Sequence, residues 1–272
     1  MLYQILSLLR VKHYIKNLII FLPYLFFLKE HNFVVLNKLF ILFIAFSLVS
    51  SAVYIFNDIC DIERDKTHPY KKNLPITSGR IHLSTAINIL LILLILAFSI
   101  SIVLNNKILL IFFIYLILNI FYSLYLKNKK FVNIMCIVLG FILRVFASFI
   151  ILKQTPNLEF LFFIMFVSVF FIICKKNLNI YVQNEANKLK HSTIFILLLT
   201  MLISCIIFYF LIKRSNISII IFFLFILIMS KVFYLSIFLK NYKKDFISLL
   251  YEDKVLLSSI TLLFTYFLAK IF

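Results

Sequence analysis

Long apolar runs alternate with short polar interruptions along this chain from end to end. Nine apolar segments can be marked, at roughly 15–28, 37–56, 84–104, 108–126, 131–152, 159–174, 193–212, 217–239 and 255–272. Most approach the ~20 residues with which a helix crosses a bilayer. The first and sixth are short. The first also contains Pro23, which points to a tilted or partly interfacial helix with residues 1–12 as an amphipathic lead-in. The pattern predicts an all-α polytopic membrane protein with nine transmembrane helices. It forms a single domain over 1–272, with no separate soluble part.

Composition agrees. The chain is 64% hydrophobic with a mean hydropathy of +1.10, against roughly 45–50% apolar residues in a soluble domain. The net charge of +18 would fit nucleic acid, but its distribution argues otherwise. Nineteen Lys and Arg fall at the N-terminus and in the loops after segments two, four, six and eight, and six in the alternate loops. That is the positive-inside signature; it puts the N-terminus in the cytoplasm and excludes a nucleic-acid partner. Cys60, Cys136, Cys174 and Cys205 are scattered without a CxxC pair and read as small hydrophobes. The opening MLYQILSLLRVKHYIKN lacks a small-residue cleavage site, so no cleaved signal peptide is expected. Lys outnumbers Arg 23 to 5 and only two glycines occur. Such bias makes each remaining Arg and Gly more informative.

One interruption stands apart. Residues 57–79, NDICDIERDKTHPYKKNLPITSG, hold four of the ten acidic residues. If the second segment stays helical beyond Phe56, Asp58, Asp61 and Asp65 lie within about 60° of one another on one face, with Glu63 pointing away. Three such carboxylates repel unless a cation joins them, and hard oxygen ligands suit Mg²⁺. The plainer alternative is a solvated helix end at the membrane surface. His68-Pro69, Lys71, Lys72, Pro75 and Ser78-Gly79-Arg80 follow. The prolines break the helix, and Gly79 allows a conformation closed to other residues. Lysines beside a metal–carboxylate face make sense if both serve a diphosphate; singly, each also reads as positive-inside charge. Arg144 lies near the middle of the fifth segment, where a charge needs a counter-ion or a watery cavity, and either an ion pair or a phosphate ligand would satisfy it. Lys231, also mid-segment, is expected to snorkel or pair.

ND-x-x-D-x-x-x-D followed by HP-x-K and P-I-x-S-G resembles the first aspartate-rich motif of the UbiA superfamily of intramembrane prenyltransferases. Within it, HP-x-K is most similar to the decaprenyl-phosphate phosphoribosyltransferase branch. Arg10, Lys16 and Asn17, Tyr122-Ser123 with Lys127, Gly140-Phe141 with Leu143-Arg144, Lys175-Lys176 and Asp253 extend the resemblance over most of the chain. It implies nine helices around a central cavity in a bacterial inner membrane, with the active-site mouth facing the cytoplasm. It further implies Mg²⁺-dependent transfer of a phosphoribosyl group from phosphoribosyl diphosphate to a polyprenyl phosphate. Asp58, Asp61 and Asp65 would hold Mg²⁺ and act with Arg144 in catalysis. Lys16, Asn57, His68, Lys71, Lys72, Tyr122, Lys127, Lys175 and Lys176 would bind substrate phosphates.

Three departures keep alternatives open. Leu74 stands where the branch usually has Arg, and Asn133 where Asp is expected. The region after the sixth segment carries Asn177, Asn179, Asn184 and Asn187 with Glu185 as its only acid, so a second aspartate-rich motif is missing. One alternative is prenyl transfer from a polyprenyl diphosphate to an aromatic acceptor. Another is a non-catalytic lipid-phosphate binder. A transporter fits least, since the polar residues gather at one mouth.

Overall fold

The computed structural model describes residues 2–28, 32–67, 71–127, 129–182, 191–214, 219–238 and 252–271. All of its regular structure is helical. The chain opens with α1 (Leu2–Leu8), a 3-10 stretch (Val11–Phe21) and a short α2 (Leu22–Phe27). It continues with α3 (Phe33–Cys60), α4 (Ile62–Lys66) and a 3-10 turn (Lys71–Asn73). Then come α5 (Leu83–Leu104), α6 (Asn106–Phe121), a π turn (Tyr122–Leu126) and α7 (Lys130–Leu152). The last helices are α8 (Leu158–Val182), α9 (His191–Arg214), α10 (Ile219–Phe238) and α11 (Lys254–Ile271).

Among the described residues, seven helices are long and apolar enough to cross a membrane: α3, α5, α6 with its π turn, α7, α8, α9 and α10. The protein is an integral membrane protein. The expected first span is instead a 3-10 stretch running into the six-residue α2. Pro23 falls in the first turn of α2, where its missing N–H costs nothing, so it starts a new helix there. The apolar stretch described in α11, Lys254–Leu263, is also shorter than a span.

The residues group into two compact units. The first holds residues 1–24 and 32–155, the second 25–31 and 156–272. In the first, α3 is the most enclosed span and packs along α5, with further contacts to α6, α7 and the 3-10 stretch. Ala45, Phe46, Val49, Ala52 and Ile55 are buried there, whereas α5 turns Ile92, Ile95 and Val103 outward. A helix apolar all round is what a bilayer accommodates. Asn32 starts α3 by accepting from the Val34 N–H at 2.9 Å, and Asn105 starts α6 by accepting from the Lys107 N–H at 2.8 Å. In this glycine-poor chain, Lys153 takes the left-handed position that ends α7, with φ of 53°.

In the second unit α8 packs on α9 and α10, and α10 on α11. Phe170, Cys174, Leu197, Met229, Val232, Leu235 and Leu256 form its core. Lys231 on α10 pairs with Asp253 at 3.3 Å. Asp253 also accepts from the N–H groups of Val255 and Leu256, so one carboxylate starts α11 and answers the mid-helix lysine.

The loop ahead of α5 folds on itself. Ser78 N–H bonds Leu74 O at 2.9 Å, Gly79 N–H bonds Ile76 O at 3.0 Å, and Ile81 N–H bonds Pro75 O at 3.0 Å. Gly79 has φ of +73°, and a Cβ there would meet nothing within 4 Å. Replacing Gly79 by Ala therefore carries backbone strain alone, about 1–2 kcal/mol. Its melting temperature in detergent is expected to fall by a few degrees, and Gly79→Asn by less, because asparagine tolerates this region better. An unchanged melting temperature for Gly79→Ala would contradict the strain argument.

Candidate active site

The site is built at the end of α3. Asp61 N–H bonds Asn57 O at 3.0 Å and Asp65 N–H bonds Asp61 O at 2.8 Å, so helical bonding crosses the break between α3 and α4. Asp58, Asp61 and Asp65 accordingly all turn inward, 2%, 3% and 2% exposed. The Glu63 side chain points to the outside. The one-face arrangement expected from the spacing is present.

Each carboxylate has its own cation. Arg10 Nη2 donates to Asp58 Oδ1 at 2.5 Å, while its guanidinium lies 5.2 Å from the Tyr54 ring centre. Lys127 Nζ donates to Asp61 Oδ1, and Arg64 Nη2 to Asp61 Oδ2 at 2.7 Å. Lys71 Nζ donates to Asp65 Oδ1 at 3.3 Å. The pairing answers the repulsion among three buried carboxylates, because a charge removed from water must be paired or neutralised. Among the described residues, no three His, Cys, Asp or Glu side chains converge on one ion position. The three acids expected to hold Mg²⁺ share one face, but each is held by a basic side chain and they do not gather around a common point.

The donor set nevertheless suits a hard cation. Asn57 Oδ1, beside Asp58, is buried with no hydrogen-bond partner, and such an oxygen is costly to bury unless something binds it. Ser123 Oγ, four residues before Lys127, is likewise buried without a partner. Four cations face three carboxylates, and a divalent ion would raise the positive excess further. The electrostatics favour a polyanion such as a diphosphate.

The π turn explains how Lys127 reaches Asp61. Its N–H bonds Tyr122 O at 3.1 Å, five residues back, so one extra residue is taken up before the lysine. Asn133 Nδ2 then donates to Lys127 O at 3.1 Å. A carboxylate has no proton to donate to that carbonyl, which gives Asn133 a structural reason to stand where Asp was expected.

The other expected residues are spread more widely. Lys16 is half-buried on the 3-10 stretch, Tyr122 is half-buried at the start of the π turn, and Lys72 is exposed beside Lys71. In the second unit Lys175 and Lys176 are exposed on α8, next to the buried Asn177, whose Nδ2 has no hydrogen-bond partner. His68, Asn184, Glu185 and Asn187 lie outside the described residues.

Arg144 was expected to face a phosphate. It is 5% exposed and is taken up by protein. Nε donates to Asn17 Oδ1 at 2.7 Å and Nη1 to Gly140 O at 2.7 Å. Nη2 donates to Tyr115 Oη at 2.9 Å and Ser50 Oγ at 3.1 Å. Two residues of the cluster, Arg10 and Arg64, were absent from the expected phosphate ligands. Both belong to the five arginines that persist in a lysine-biased chain, which was the signal available for finding them.

An all-helical membrane protein with buried carboxylates and cations at the end of its most enclosed helix is the class that fold and site define. The model of the UbiA prenyltransferase family matches residues 17–260, and the chain belongs to that family. The chain is similar to the decaprenyl-phosphate phosphoribosyltransferase of Mycobacterium tuberculosis, 30% identical over 142 residues, which is 52% of this chain and 47% of that protein. It is similar also to the digeranylgeranylglyceryl phosphate synthase of Sulfurisphaera tokodaii, 30% identical over 134 residues, covering 46% and 48% of the two chains. The chain thus spans about half the length of the curated relatives it matches. In fold it is similar to a UbiA homolog from Archaeoglobus fulgidus bound to GPP and Mg²⁺, with a TM-score of 0.72 at 17% identity over 98% of this chain and 99% of that one.

Proposed function

We propose that this protein is a transferase that moves a phosphoribosyl group from phosphoribosyl diphosphate to a polyprenyl phosphate and releases pyrophosphate. The observation that carries the reading is the cluster of three buried carboxylates ringed by Arg10, Arg64, Lys71 and Lys127. The sequence His68-Pro69-x-Lys71, the similarity to decaprenyl-phosphate phosphoribosyltransferases and the lack of a second acidic motif after α8 support this choice of substrates.

Asp58, Asp61, Asp65 and Asn57 would hold Mg²⁺. Bound there, the ion supplies neutralisation of the charge that grows on the leaving diphosphate. Arg10, Lys71 and Lys127, which sit on the carboxylates, would turn to diphosphate oxygens, with Lys16, Lys72 and Tyr122 as further phosphate contacts. On sequence grounds Lys175 and Lys176 take the acceptor phosphate. An acceptor phosphate oxygen forms a bond to C1 of the ribose as the C1–O bond to diphosphate breaks, and that electron pair leaves with pyrophosphate. The nucleophile is already an anion, so no general base is needed, and backside attack inverts C1. The mouth of the site faces the cytoplasm of a bacterial cell, where the donor is soluble, while the lipid acceptor enters from the bilayer. Prenyl transfer from a lipid diphosphate is the competing reading, and the similarity to the digeranylgeranylglyceryl phosphate synthase favours it.

The test is pyrophosphate release by detergent-purified protein given Mg²⁺, phosphoribosyl diphosphate and a polyprenyl phosphate. Release is expected to require both substrates and to vanish in the Asp58→Ala/Asp61→Ala double variant. Folded protein that releases none would overturn the proposal.

A further inference from the structure

We infer that Arg144 is a positioning residue: it locks the N-terminal strap onto the polar face of α3 and thereby sets Arg10 on Asp58. The inference rests on reading the α3 cluster as the diphosphate end of the site.

Ser47, Ser51, Tyr54 and Asp58 recur on α3 at i, i+4, i+7 and i+11, which is one helix face. Residues 9–17 run along that face in the opposite direction. Asn17 Nδ2 donates to Ser47 Oγ at 3.0 Å, and Tyr14 Oη and Ser51 Oγ are 2.8 Å apart. Ser51 Oγ donates to Leu9 O at 2.8 Å, the His13 ring meets Tyr54 edge-on at 5.4 Å, and Arg10 reaches Asp58 at 2.5 Å. Arg10 makes that last reach from a left-handed backbone, φ 51° and ψ 46°, just past the end of α1, a conformation uncommon outside glycine.

Arg144 holds the far end. Its guanidinium joins Asn17 on the strap, Ser50 on α3, Tyr115 on α6 and Gly140 on its own helix, α7. The rings of Phe46, Tyr115 and Phe141 have centres 5.0–5.7 Å from its central carbon. Gly140 packs against the guanidinium: a Cβ there would sit at ordinary contact distance, 3.4 Å from Nη1 and 3.5 Å from the Tyr115 ring. Four neutral acceptors in four directions match a planar fork of donors and do not match the point charge of a lysine. Among the described residues no carboxylate lies within ion-pair distance of Arg144. It stands among the spanning helices, where a lone charge is kept only for a purpose.

The experiment measures binding of Mg²⁺ with inorganic pyrophosphate to detergent-purified protein, at a temperature well below melting, for Arg144→Lys, Asn17→Ala, Ser50→Ala and Arg144→Lys/Asn17→Ala. Arg144→Lys is expected to weaken binding about tenfold despite keeping the charge, and Asn17→Ala and Ser50→Ala about threefold each. The double variant should bind no more weakly than Arg144→Lys, because the two residues act through one contact. If Arg144 touches the anion itself, Arg144→Lys keeps most of the affinity while Asn17→Ala and Ser50→Ala bind like wild type. That pattern would overturn the inference and leave the site reading intact. If it only stabilises the fold, the variants melt earlier yet bind normally when folded, which also overturns it. Wild-type protein that binds no Mg²⁺–pyrophosphate would overturn the site reading and the inference together.

Discussion

Asp61→Asn is expected to lower turnover by about 10³-fold while leaving the protein folded. The amide keeps the shape of the carboxylate but loses its charge. Asp61 accepts hydrogen bonds from two cations, Lys127 and Arg64, from two separate parts of the chain. Neutralising it releases both and removes one of the proposed oxygen ligands of Mg²⁺. The signature is specific: turnover falls at saturating substrate, and the Mg²⁺ concentration needed for half-maximal rate rises. Melting temperature should fall much less than in a core truncation, since no cavity is made. Steady-state kinetics over a Mg²⁺ titration checks this, and activity within tenfold of wild type would remove Asp61 from the site.

The second large effect is expected at Lys127. Lys127→Met keeps the length of the side chain and loses its charge, and turnover should fall by about 10²-fold. Asp61 still has Arg64, so the carboxylate is not stranded and the fold is kept. Lys127→Arg should recover part of the activity, because charge is restored while the fit at the end of the π turn is not. If Lys127 merely neutralises Asp61 and never meets the diphosphate, Lys127→Met will leave turnover unchanged. Single-turnover kinetics on the three proteins separates the two outcomes.

The carboxylate face could be read from sequence because it depends on helical periodicity, which is local. Asp58, Asp61 and Asp65 keep their spacing through a helix that stays bonded across its break. The cations were harder, because proximity in space was not encoded nearby. Arg10 lies 48 residues from Asp58 and Lys127 lies 66 residues from Asp61. Lys127 was still found, through a motif, whereas Arg10 entered only as part of an N-terminal resemblance. Arg144 shows a different limit. Its position inside an apolar segment announced a purpose, but charge alone does not say whether its partner is an anion or a set of neutral oxygens. The acceptors Asn17, Ser50, Tyr115 and Gly140 come from four elements, and no local pattern links them. The irregularity of the first segment was legible, since Pro23 falls where the 3-10 stretch gives way to α2.

The most direct measurement follows label from donor to lipid. Detergent-purified protein is given Mg²⁺, phosphoribosyl diphosphate labelled in the ribose, and a polyprenyl phosphate, and the organic-extractable label is counted. A parallel reaction contains a polyprenyl diphosphate and an aromatic acid. The account predicts ribose label in the lipid phase in the first reaction only, in amounts equal to the pyrophosphate released and absent in Asp61→Asn. Prenylated aromatic product in the second reaction, with no ribose label in lipid in the first, would contradict it.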